Sequence, residues 1–398
     1  MVTGDGAYIK KINRSLILQK IMEHEFISRA ELAKITGLNK ATISVQVADL
    51  LDEDLIYETQ QEHNAIGRRP IMLSIDEDTG FILGIDLDYK HIQFAVSNLK
   101  GNIVESKSID LTTDDYEEII ALLVEQISAY QKKYAFSRYG LVNAIIGVHG
   151  TVNKEEMIYF IPKYKWQHKD MKTDLKKQLD LDIFIENNAN LSSLAEKVYQ
   201  YHHSSNLMTI ILRSGIGAGM MVDGKLDRGY HGYAGEMGHM IILPNGKPCN
   251  CGNHGCWELY AAEPQLFATL SEKLGRSIEN YDDIEQLIAK NDPAANELLH
   301  TFIFYLAVGL NNVINLYNPE TLVLNSRVLE LYPNAIAEIK SHLHSNVSQY
   351  GEIALSKLGS QACMMGACAF GIQLFLEFSE LYLATKPIAI QQIKEDIS

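Results

Sequence analysis

Three cysteines and one histidine are concentrated in a short glycine-rich stretch, and this clustering constrains the fold more than any other feature of the sequence. Cys249, Cys251 and Cys256 follow His239 within one predicted loop. One imidazole and three thiols are the Cys3His ligand set of a closed structural zinc site. The sequence therefore predicts one structural zinc ion per chain, bound by these four residues. Because four protein ligands leave no open coordination position, a catalytic zinc is disfavoured.

Two other interpretations of this stretch stay open. The thiols could be unliganded, or His254 could replace His239 as the nitrogen ligand, although its short distance from Cys256 along the chain makes it harder to place. The chain has five cysteines, and its N-terminal residues lack the apolar core of a secretion signal. An odd cysteine count in a chain expected in the cytoplasm favours metal binding or buried thiols over disulfides.

The composition is that of a soluble globular protein, with 46% hydrophobic and 21% charged residues. The length, 398 residues, is enough for a module of about 70–80 residues and a large body of two lobes. No uninterrupted apolar stretch approaches the roughly 20 residues that span a bilayer. We therefore expect a cytoplasmic protein.

The N-terminal region has the pattern of a helix-turn-helix. Apolar residues at helical spacing predict a first helix over 9–24, and the Ser28-Arg29-Ala30-Glu31 capping box predicts the start of a second. Gly37 suits the left-handed conformation that ends a helix, and Asn39 can cap a third helix. A helix, a short glycine turn and a second helix form the helix-turn-helix motif.

The third helix has an outward face of small and polar side chains. When Ile43 points into the core, the residues one or two positions away along the chain point outward or lie on the flanks. Such a face can enter a DNA major groove and contact base edges, while the lysine at the helix start can meet a phosphate. A helical bundle with a solvated face is the alternative interpretation. The candidate DNA contacts on this helix are Lys40, Ala41, Thr42, Ser44, Val45 and Gln46.

A predicted wing follows this helix. Two predicted strands, 55–58 and 71–75, flank a polar stretch that ends in Gly67-Arg68-Arg69-Pro70. Arginine side chains on the tip of a wing can enter a narrow minor groove, where the negative potential is deepest. Arg68 and Arg69 are therefore candidate DNA contacts, and a solvated turn is the alternative.

Charge argues against non-specific wrapping of nucleic acid, because the chain has a net charge of −15. Even residues 1–78 contain nine Lys and Arg against thirteen Asp and Glu. Any DNA-reading surface must therefore be local, with the acidic side chains turned away from the DNA.

Beyond residue 78, strands alternate with helices, which predicts α/β architecture. A buried strand at 183–186 ends at Asn187 and Asn188. Ligand sites gather where such strands end, and amides can both donate to and accept from sugar hydroxyls. An asparagine pair in this position also commonly caps a helix. A glycine-rich turn at 213–219 could cradle a phosphate through backbone amides or form a tight hairpin.

These features together resemble the ROK family (repressor, open reading frame, kinase), which joins bacterial sugar kinases to their repressor relatives. The most specific matches are residues 229–239 (GYHGYAGEMGH) and 249–258, and the likeness extends over nearly the whole chain. The resemblance implies an actin-like, ribonuclease-H-like body of two lobes. It also implies that a sugar is held by Asn187, Asn188, Glu236, His239 and Glu258.

The same resemblance implies a link between metal and sugar. His239 would bind zinc through one ring nitrogen and face the sugar with the other. Two carboxylates suit a neutral sugar, with xylose as first choice and glucose as second, better than a phosphosugar. His149 and Trp166 could shape the pocket, although a packed core position is the alternative for Trp166.

Departures from the family's kinase pattern favour a repressor over a kinase. The glycine-rich phosphate loop expected after Asp86 is replaced by Leu87-Asp88-Tyr89-Lys90, and the general base by Asn188, whose amide accepts no proton at neutral pH. Arg213 replaces a glycine, and Asn325-Ser326-Arg327 replaces a glycine pair for the nucleotide. The sequence therefore predicts no kinase activity.

The expected architecture has three parts: a winged helix-turn-helix over 1–78, a first α/β lobe over 79–195, and a second α/β lobe with the zinc loop over 196–374. A C-terminal helix at about 375–398 is expected to pack on the first lobe. We interpret the chain as a sugar-responsive repressor, a homodimer or dimer of dimers, that binds double-stranded operator DNA. An activator, regulation by a partner protein, and an ATP-dependent sugar kinase are the alternatives.

Overall fold

The computed structural model describes residues 6–60 and 70–383. Arg68 and Arg69 of the predicted wing, and the segment 384–398, therefore lie outside the described residues. Within the described ranges the chain forms a small N-terminal module and two α/β lobes. The predicted fold class is confirmed.

The N-terminal module has three helices and a three-stranded antiparallel sheet. Its capping box is formed, because the Ser28 hydroxyl accepts a hydrogen bond from the backbone N of Glu31 and the Glu31 carboxylate accepts one from the backbone N of Ser28. Gly37 has φ 70°, and Asn39 Oδ1 accepts from the backbone N of Thr42 at 2.8 Å. The predicted turn between the second and third helices is therefore confirmed. In chain order the elements are α1 (Gly6–His24), β1 (Ile27–Ser28), α2 (Arg29–Thr36), α3 (Lys40–Asp52), β2 (Ile56–Thr59) and β3 (Met72–Ile75).

The first turns of α1 extend beyond the core of this module. Ile9 and Ile12 belong to the apolar spacing that predicted this helix, but they are 50% and 48% exposed. The buried side chains of α1 begin only at Ile17, where α2 and α3 pack against it. The periodicity correctly predicted a helix, but the part of its apolar face that is buried is shorter than the sequence suggested.

The module is docked on the first lobe by hydrogen bonds. The Tyr139 hydroxyl donates to the carbonyl oxygen of Glu53 at 2.9 Å. The Ser15 hydroxyl of α1 donates to the carbonyl oxygen of Glu377 at 2.7 Å. The apolar core of the module is continuous with buried side chains of the body, among them Leu99 and Leu376.

The first lobe is built on a five-stranded sheet. Its elements in chain order are β4 (Phe81–Leu87), β5 (His91–Asn98), β6 (Ile103–Asp110), α4 (Tyr116–Tyr134), β7 (Leu141–Val148), β8 (Thr151–Val152), β9 (Ile158–Ile161), β10 (Trp166–Lys169), α5 (Met171–Lys176) and β11 (Asp182–Asn187). The main sheet has the order β11-β7-β4-β5-β6, with β4, β7 and β11 parallel. A small antiparallel sheet, β10-β9-β8, projects beside it. All residues of β4 are buried, as expected of a strand covered on both faces.

The second lobe has a five-stranded sheet of its own, reached through the helix α6 (Asn188–Tyr199). Its strands run in the order β14-β13-β12-β15-β16, where β12 is Leu207–Ile211, β13 is Gly217–Val222, β14 is Lys225–Leu226, β15 is Thr321–Asn325 and β16 is Glu352–Leu355. The helices of this lobe are α7 (Glu258–Ala261), α8 (Glu263–Leu274), α9 (Tyr281–Ala289), α10 (Pro293–Tyr317), α11 (Arg327–Leu331) and α12 (Ala335–Ser341), with one-turn 3-10 helices at Met237–His239 and Gly359–Gln361.

The chain returns to the first lobe earlier than expected. The helix α13 (Ala362–Leu376) packs on α6, β4 and β7. Asn143 Nδ2 in β7 donates to the carbonyl oxygen of Gly371 at 3.1 Å. A Cβ atom added to Gly84 in β4 would lie 2.6 Å from the carbonyl oxygen of Met364, so only glycine permits this close approach. The expected lobe boundary at 374 is therefore wrong, because α13 is buried on nearly every side and its sequence gives no sign of which sheet it covers.

Two helices have the length and composition of membrane spans, Pro293–Tyr317 and the stretch Gly359–Leu376. Neither was predicted from the sequence, because polar residues interrupt both stretches. Half or more of the most apolar window of each is buried inside the protein, at 50% and 61%. Both are accounted for as core helices.

Candidate functional site

A cavity of about 730 Å³ lies between the two lobes and is lined by residues of both. From the first lobe, His149, Thr151 and Asn188 contribute to its wall. From the second, the glycine-rich turn after β12 and the loop before the 3-10 helix Met237–His239 contribute. All five predicted sugar-binding residues line this one cavity: Asn187, Asn188, Glu236, His239 and Glu258.

The two asparagines at the end of β11 have different surroundings. Asn187 is the N-cap of α6, since its Oδ1 accepts from the backbone N of Ala189 at 2.8 Å and of Asn190 at 3.1 Å. Its Nδ2 donates to the carbonyl oxygen of Gly150 at 2.9 Å. The capping alternative therefore holds for Asn187, whose amide is largely engaged within the protein. Asn188, the first residue of α6, offers its side chain to the cavity.

Glu236 brings a carboxylate of the second lobe against the first lobe. Its Oε1 accepts a hydrogen bond from the Thr151 hydroxyl at 3.3 Å. Burial raises the pKa of Glu236, while the neighbouring His239 opposes that shift. His239 Nε2 lies 4.0 Å from Glu236 Oε2, so this ring nitrogen is on the side of the imidazole nearest the cavity carboxylate.

The other ring nitrogen of His239, Nδ1, is on the side nearest the cysteines. His239 Nδ1 lies 3.6 Å from the sulfur of Cys249, and the sulfurs of Cys251 and Cys256 are also 3.6 Å apart. The four ligand atoms all lie within 4.8 Å of one another. A tetrahedral ion with bonds of about 2.0–2.3 Å places its ligand atoms about 3.5–3.8 Å apart. The chain thus has a Cys3His site compatible with a structural metal, and exposed His254 is outside the cluster.

The loop that carries the cysteines turns at two glycines. Gly252 has φ 96° and Gly255 has φ 85°, a region that side chains rarely adopt. The backbone N of Cys249 donates to the carbonyl oxygen of Asn253 at 2.8 Å, which closes the turn. Glu258 Oε1 lies 3.4 Å from His239 Nδ1, so a cavity carboxylate adjoins the cysteine cluster.

A half-buried histidine contacts Asp86, the residue after which the kinase pattern of the family has its phosphate loop. His149 Nε2 lies 2.8 Å from Asp86 Oδ1, and His149 Nδ1 lies 3.2 Å from the Ser214 hydroxyl oxygen. Because a carboxylate only accepts, Nε2 is the donor. Desolvation disfavours the charged imidazole, but the carboxylates of Asp86 and Asp88 outweigh it and raise the pKa of His149. The imidazole therefore links the end of β4 to the glycine-rich turn of the second lobe.

Sequence reasoning named His149 only as a residue that could shape the pocket. Its position at the end of β7, beside the end of β4, was the available signal for a contact with Asp86. Trp166 belongs to the core instead. It is stacked on Tyr164 with a centroid distance of 4.4 Å, and its Nε1 donates to the carbonyl oxygen of Asp114.

The sequence model of the ROK family matches residues 82–373 of this chain. The chain belongs to the ROK family. The xylose repressor of Bacillus subtilis (strain 168) is 36% identical to it over 382 residues, which cover 95% of this chain and 99% of that protein. A likeness of this extent includes the N-terminal module.

Solved structures of ROK proteins share its architecture. A ROK family transcriptional regulator, described as a homologue of the E. coli MLC protein, has a TM-score of 0.80 at 26% identity and covers 93% of this chain and 97% of its own. A ROK family glucokinase from Streptomyces griseus, solved with glucose and AMPPNP, has a TM-score of 0.65 at 22% identity. It covers 73% of this chain and 99% of its own, and it shows the common fold alone.

Positions where this ROK chain departs from the kinase pattern make internal contacts. Asp88 Oδ1 accepts from the backbone N of Tyr89 at 2.7 Å. Asn325 Nδ2 donates to the carbonyl oxygen of Gly359 at 2.7 Å, and the guanidinium of Arg213 lies 6.0 Å from the ring centroid of Tyr281. These side chains therefore contact other parts of the protein at positions where the kinase pattern is expected to have glycines.

The α3 side chains that were predicted to contact DNA are exposed or half-buried, with one exception. Gln46 is only 4% exposed, and its Oε1 has no hydrogen-bond partner among the described residues. Its predicted base contact is therefore wrong: α3 packs on α1, α2 and β2, so its buried arc is wider than the periodicity suggested. The other candidate contacts on α3 are exposed or, for Thr42, half-buried: Lys40, Ala41, Thr42, Ser44 and Val45.

Proposed function

We propose that this chain is a sugar-responsive transcriptional repressor. It binds double-stranded operator DNA through α3 and the wing, and it releases the DNA when a neutral sugar occupies the cavity between the lobes. The observation that carries the proposal is that one chain combines a helix-turn-helix, with small exposed side chains on α3, and a cavity lined by an amide and two carboxylates. Relatives with the same full-length organisation, named xylose repressors, support it.

Xylose is the first candidate for the effector and glucose the second. Asn188 can donate to and accept from hydroxyls, while Glu236 and Glu258 accept from them. The paired carboxylates disfavour a phosphorylated sugar, which would be repelled by their negative charge. Binding between the lobes would favour one relative arrangement of the lobes, and a ligand shifts such an equilibrium only through unequal affinity for the two arrangements.

The metal held by His239, Cys249, Cys251 and Cys256 is proposed to be zinc. Thiolate and imidazole donors at these separations fit a closed tetrahedral zinc site. When bound, the ion would fix the loop that carries Glu258 and orient the His239 ring towards the cavity. It would supply folding stability and no chemistry on the sugar.

The proposed repressor has no kinase activity. The Asn188 amide cannot take a proton from a sugar hydroxyl at neutral pH. Asp86 matches an aspartate of the kinase pattern, but its carboxylate already accepts a hydrogen bond from His149. The protein is proposed to act in the cytoplasm as a homodimer, since helix-turn-helix proteins commonly read two half-sites related by the symmetry of a dimer.

The decisive experiment is operator binding measured with and without sugar. Sequences selected by the full-length protein from a random DNA pool would be used in fluorescence anisotropy titrations. D-xylose is expected to weaken operator binding, with glucose tested in parallel and L-xylose as the matched non-ligand control. Absence of sequence-specific DNA binding overturns the proposal, and phosphorylation of a sugar by ATP would support the kinase alternative.

Two variants separate the DNA and sugar functions. Glu236→Gln is expected to bind the operator as tightly as the wild type while losing the response to sugar. Replacing Arg68 and Arg69 by Ala together is expected to weaken binding to all sequences and to lower the salt slope by roughly two. Unchanged affinity and salt dependence in the double variant would show that the wing makes no contact with DNA.

A further inference from the structure

The cavity is larger than the ligand proposed for it. Its volume of about 730 Å³ is in the range, about 300–1,000 Å³, that suits drug-sized molecules. A pentose is much smaller than these molecules. Three of the side chains assigned to the sugar, Glu236, His239 and Glu258, lie together next to the cysteine cluster, where Glu258 and His239 adjoin Cys249.

Two tyrosines with no role in the proposed sugar contacts also line this cavity. Tyr159 comes from β9 of the first lobe and Tyr233 from the loop of the second lobe, and their ring centroids are 5.2 Å apart. His168 of β10 packs edge-on against Tyr159 at 4.9 Å. Tyr159 is 47% exposed, so these rings present aromatic surface to the cavity mouth and not to a core.

The loop that carries Tyr233 also carries the sugar-facing carboxylate Glu236. Tyr233 precedes Glu236 by three residues on the same loop. The Thr151 hydroxyl, from the same small sheet as Tyr159, donates to Glu236. A ligand whose first ring is held at Glu236 therefore lies between the two elements that carry the tyrosines.

The backbone around the pair is fixed across the two lobes. The backbone N of Lys154 donates to the carbonyl oxygen of His231 at 3.2 Å. Gly232 has φ 102°, and a Cβ atom there would lie 2.7 Å from the carbonyl oxygen of Val152. Such preorganised aromatic surface binds at low entropic cost. Gln167 and Lys163 also line the cavity and offer polar groups to it.

We propose that Tyr159 and Tyr233 form an outer subsite for a second sugar ring. The ligand class is a disaccharide or other glycoside whose first ring occupies the inner site of Asn188, Glu236 and Glu258. The face of C–H bonds on a pyranose ring packs on aromatic rings, while its hydroxyls reach the polar groups beside them. This inference rests on the proposed sugar-binding function of the cavity.

The test compares D-xylose with β-1,4-xylobiose by calorimetry on the zinc-loaded full-length protein, with glucose and cellobiose as a second pair. On the wild type the disaccharide of the effector sugar is expected to bind about tenfold more tightly than the monosaccharide, a difference of about 1.4 kcal/mol. Tyr159→Ala and Tyr233→Ala are expected to lose this preference while monosaccharide affinity changes less than about twofold.

Two further variants control for structural damage. Tyr159→Phe keeps the ring and is expected to keep the preference. Tyr230→Ala is the matched control, since Tyr230 lies on the same loop, is 85% exposed and is not part of the cavity wall.

Each contrary outcome has its own meaning. Equal weakening of both sugars by the alanine variants, or a wild type that binds the disaccharide no better than the monosaccharide, overturns the outer subsite and leaves the proposed function standing. Failure of the wild type to bind any of the four sugars overturns the proposed effector cavity and the subsite together.

Discussion

His149 and Asp86 form a direct contact between neighbouring strand ends of the first lobe, with Nε2 and Oδ1 2.8 Å apart. The second nitrogen of the same ring lies 3.2 Å from the hydroxyl oxygen of Ser214 in the second lobe. One imidazole therefore joins Asp86, in β4, to the glycine-rich turn of the second lobe. This contact has consequences for pH dependence.

The contribution of His149 to stability is expected to depend on pH. Its pKa is raised in the folded protein, so the stabilisation is full below about pH 6.5, the ordinary value, and is lost as the pH rises through the raised pKa. The Tm difference between the wild type and His149→Gln should therefore be larger at pH 6 than at pH 9. His203→Gln, at an exposed position, serves as control. A difference that is constant over this range would contradict the ion pair.

The metal site is expected to hold about one zinc per chain after purification without added zinc. Cys251→Ser should lose the metal, and sugar binding should fall with it because the loop of Glu258 is no longer fixed. His254→Ala is the matched control, since His254 is exposed in the same loop but outside the cluster, and it should retain the metal. Elemental analysis and calorimetry measure both quantities. A metal-free protein with unchanged stability would exclude the assignment.

No ATP-dependent phosphorylation of common hexoses or pentoses is expected. Asn188→Asp should remain inactive in a coupled assay, because restoring a carboxylate does not free Asp86 from His149 or remove Asn325 and Arg213 from their internal contacts. Turnover that persists through further purification of the wild type would place the chain among the kinases of the family.

Gln46 and Ser44 are expected to respond differently to substitution. Gln46→Met removes a buried oxygen that lacks a partner among the described residues, so it should raise the free energy of unfolding by about 1 kcal/mol and leave operator preference unchanged. Ser44→Ala, on the exposed face, should leave stability nearly unchanged and alter operator preference, by about 1–3 kcal/mol if it contacts a base. Denaturant unfolding and anisotropy titrations measure the two effects. A changed operator preference in Gln46→Met would show that this side chain reaches the DNA after all.

Local signals in the sequence predicted the elements of the N-terminal module well. Ser28 and Asn39 cap their helices as expected, because capping depends on the side chain and the next three backbone amides alone. The prediction for Gln46 was wrong because burial, unlike helix capping, is not determined locally. How much of α3 is covered depends on three other elements that pack against it, and the periodicity of one helix carries no information about their positions.

The residues of the metal cluster and of the cavity wall were predicted from the sequence better than the contacts between them. The cysteine spacing and the family resemblance identified which residues meet, and these residues line one cavity or adjoin it. The hydrogen bond from His149 to Asp86 and the pairing of Tyr159 with Tyr233 join residues far apart in the sequence. The first contact depends on how two strands of one lobe pair, and the second depends on how the two lobes pack. The spacing of residues along the chain encodes neither.

The helix α13 has one end beneath the cavity and the other at the N-terminal module. Cys363 at its start lies against Gly147 in β7, and Glu377 just beyond its end accepts from Ser15 of α1. With 15 residues it is about 22 Å long. If a helix of this length tilts by about 5° about its cavity end, its far end moves by about 2 Å. A tilt of this size would thus be enough to shift the helix α3 relative to a base pair.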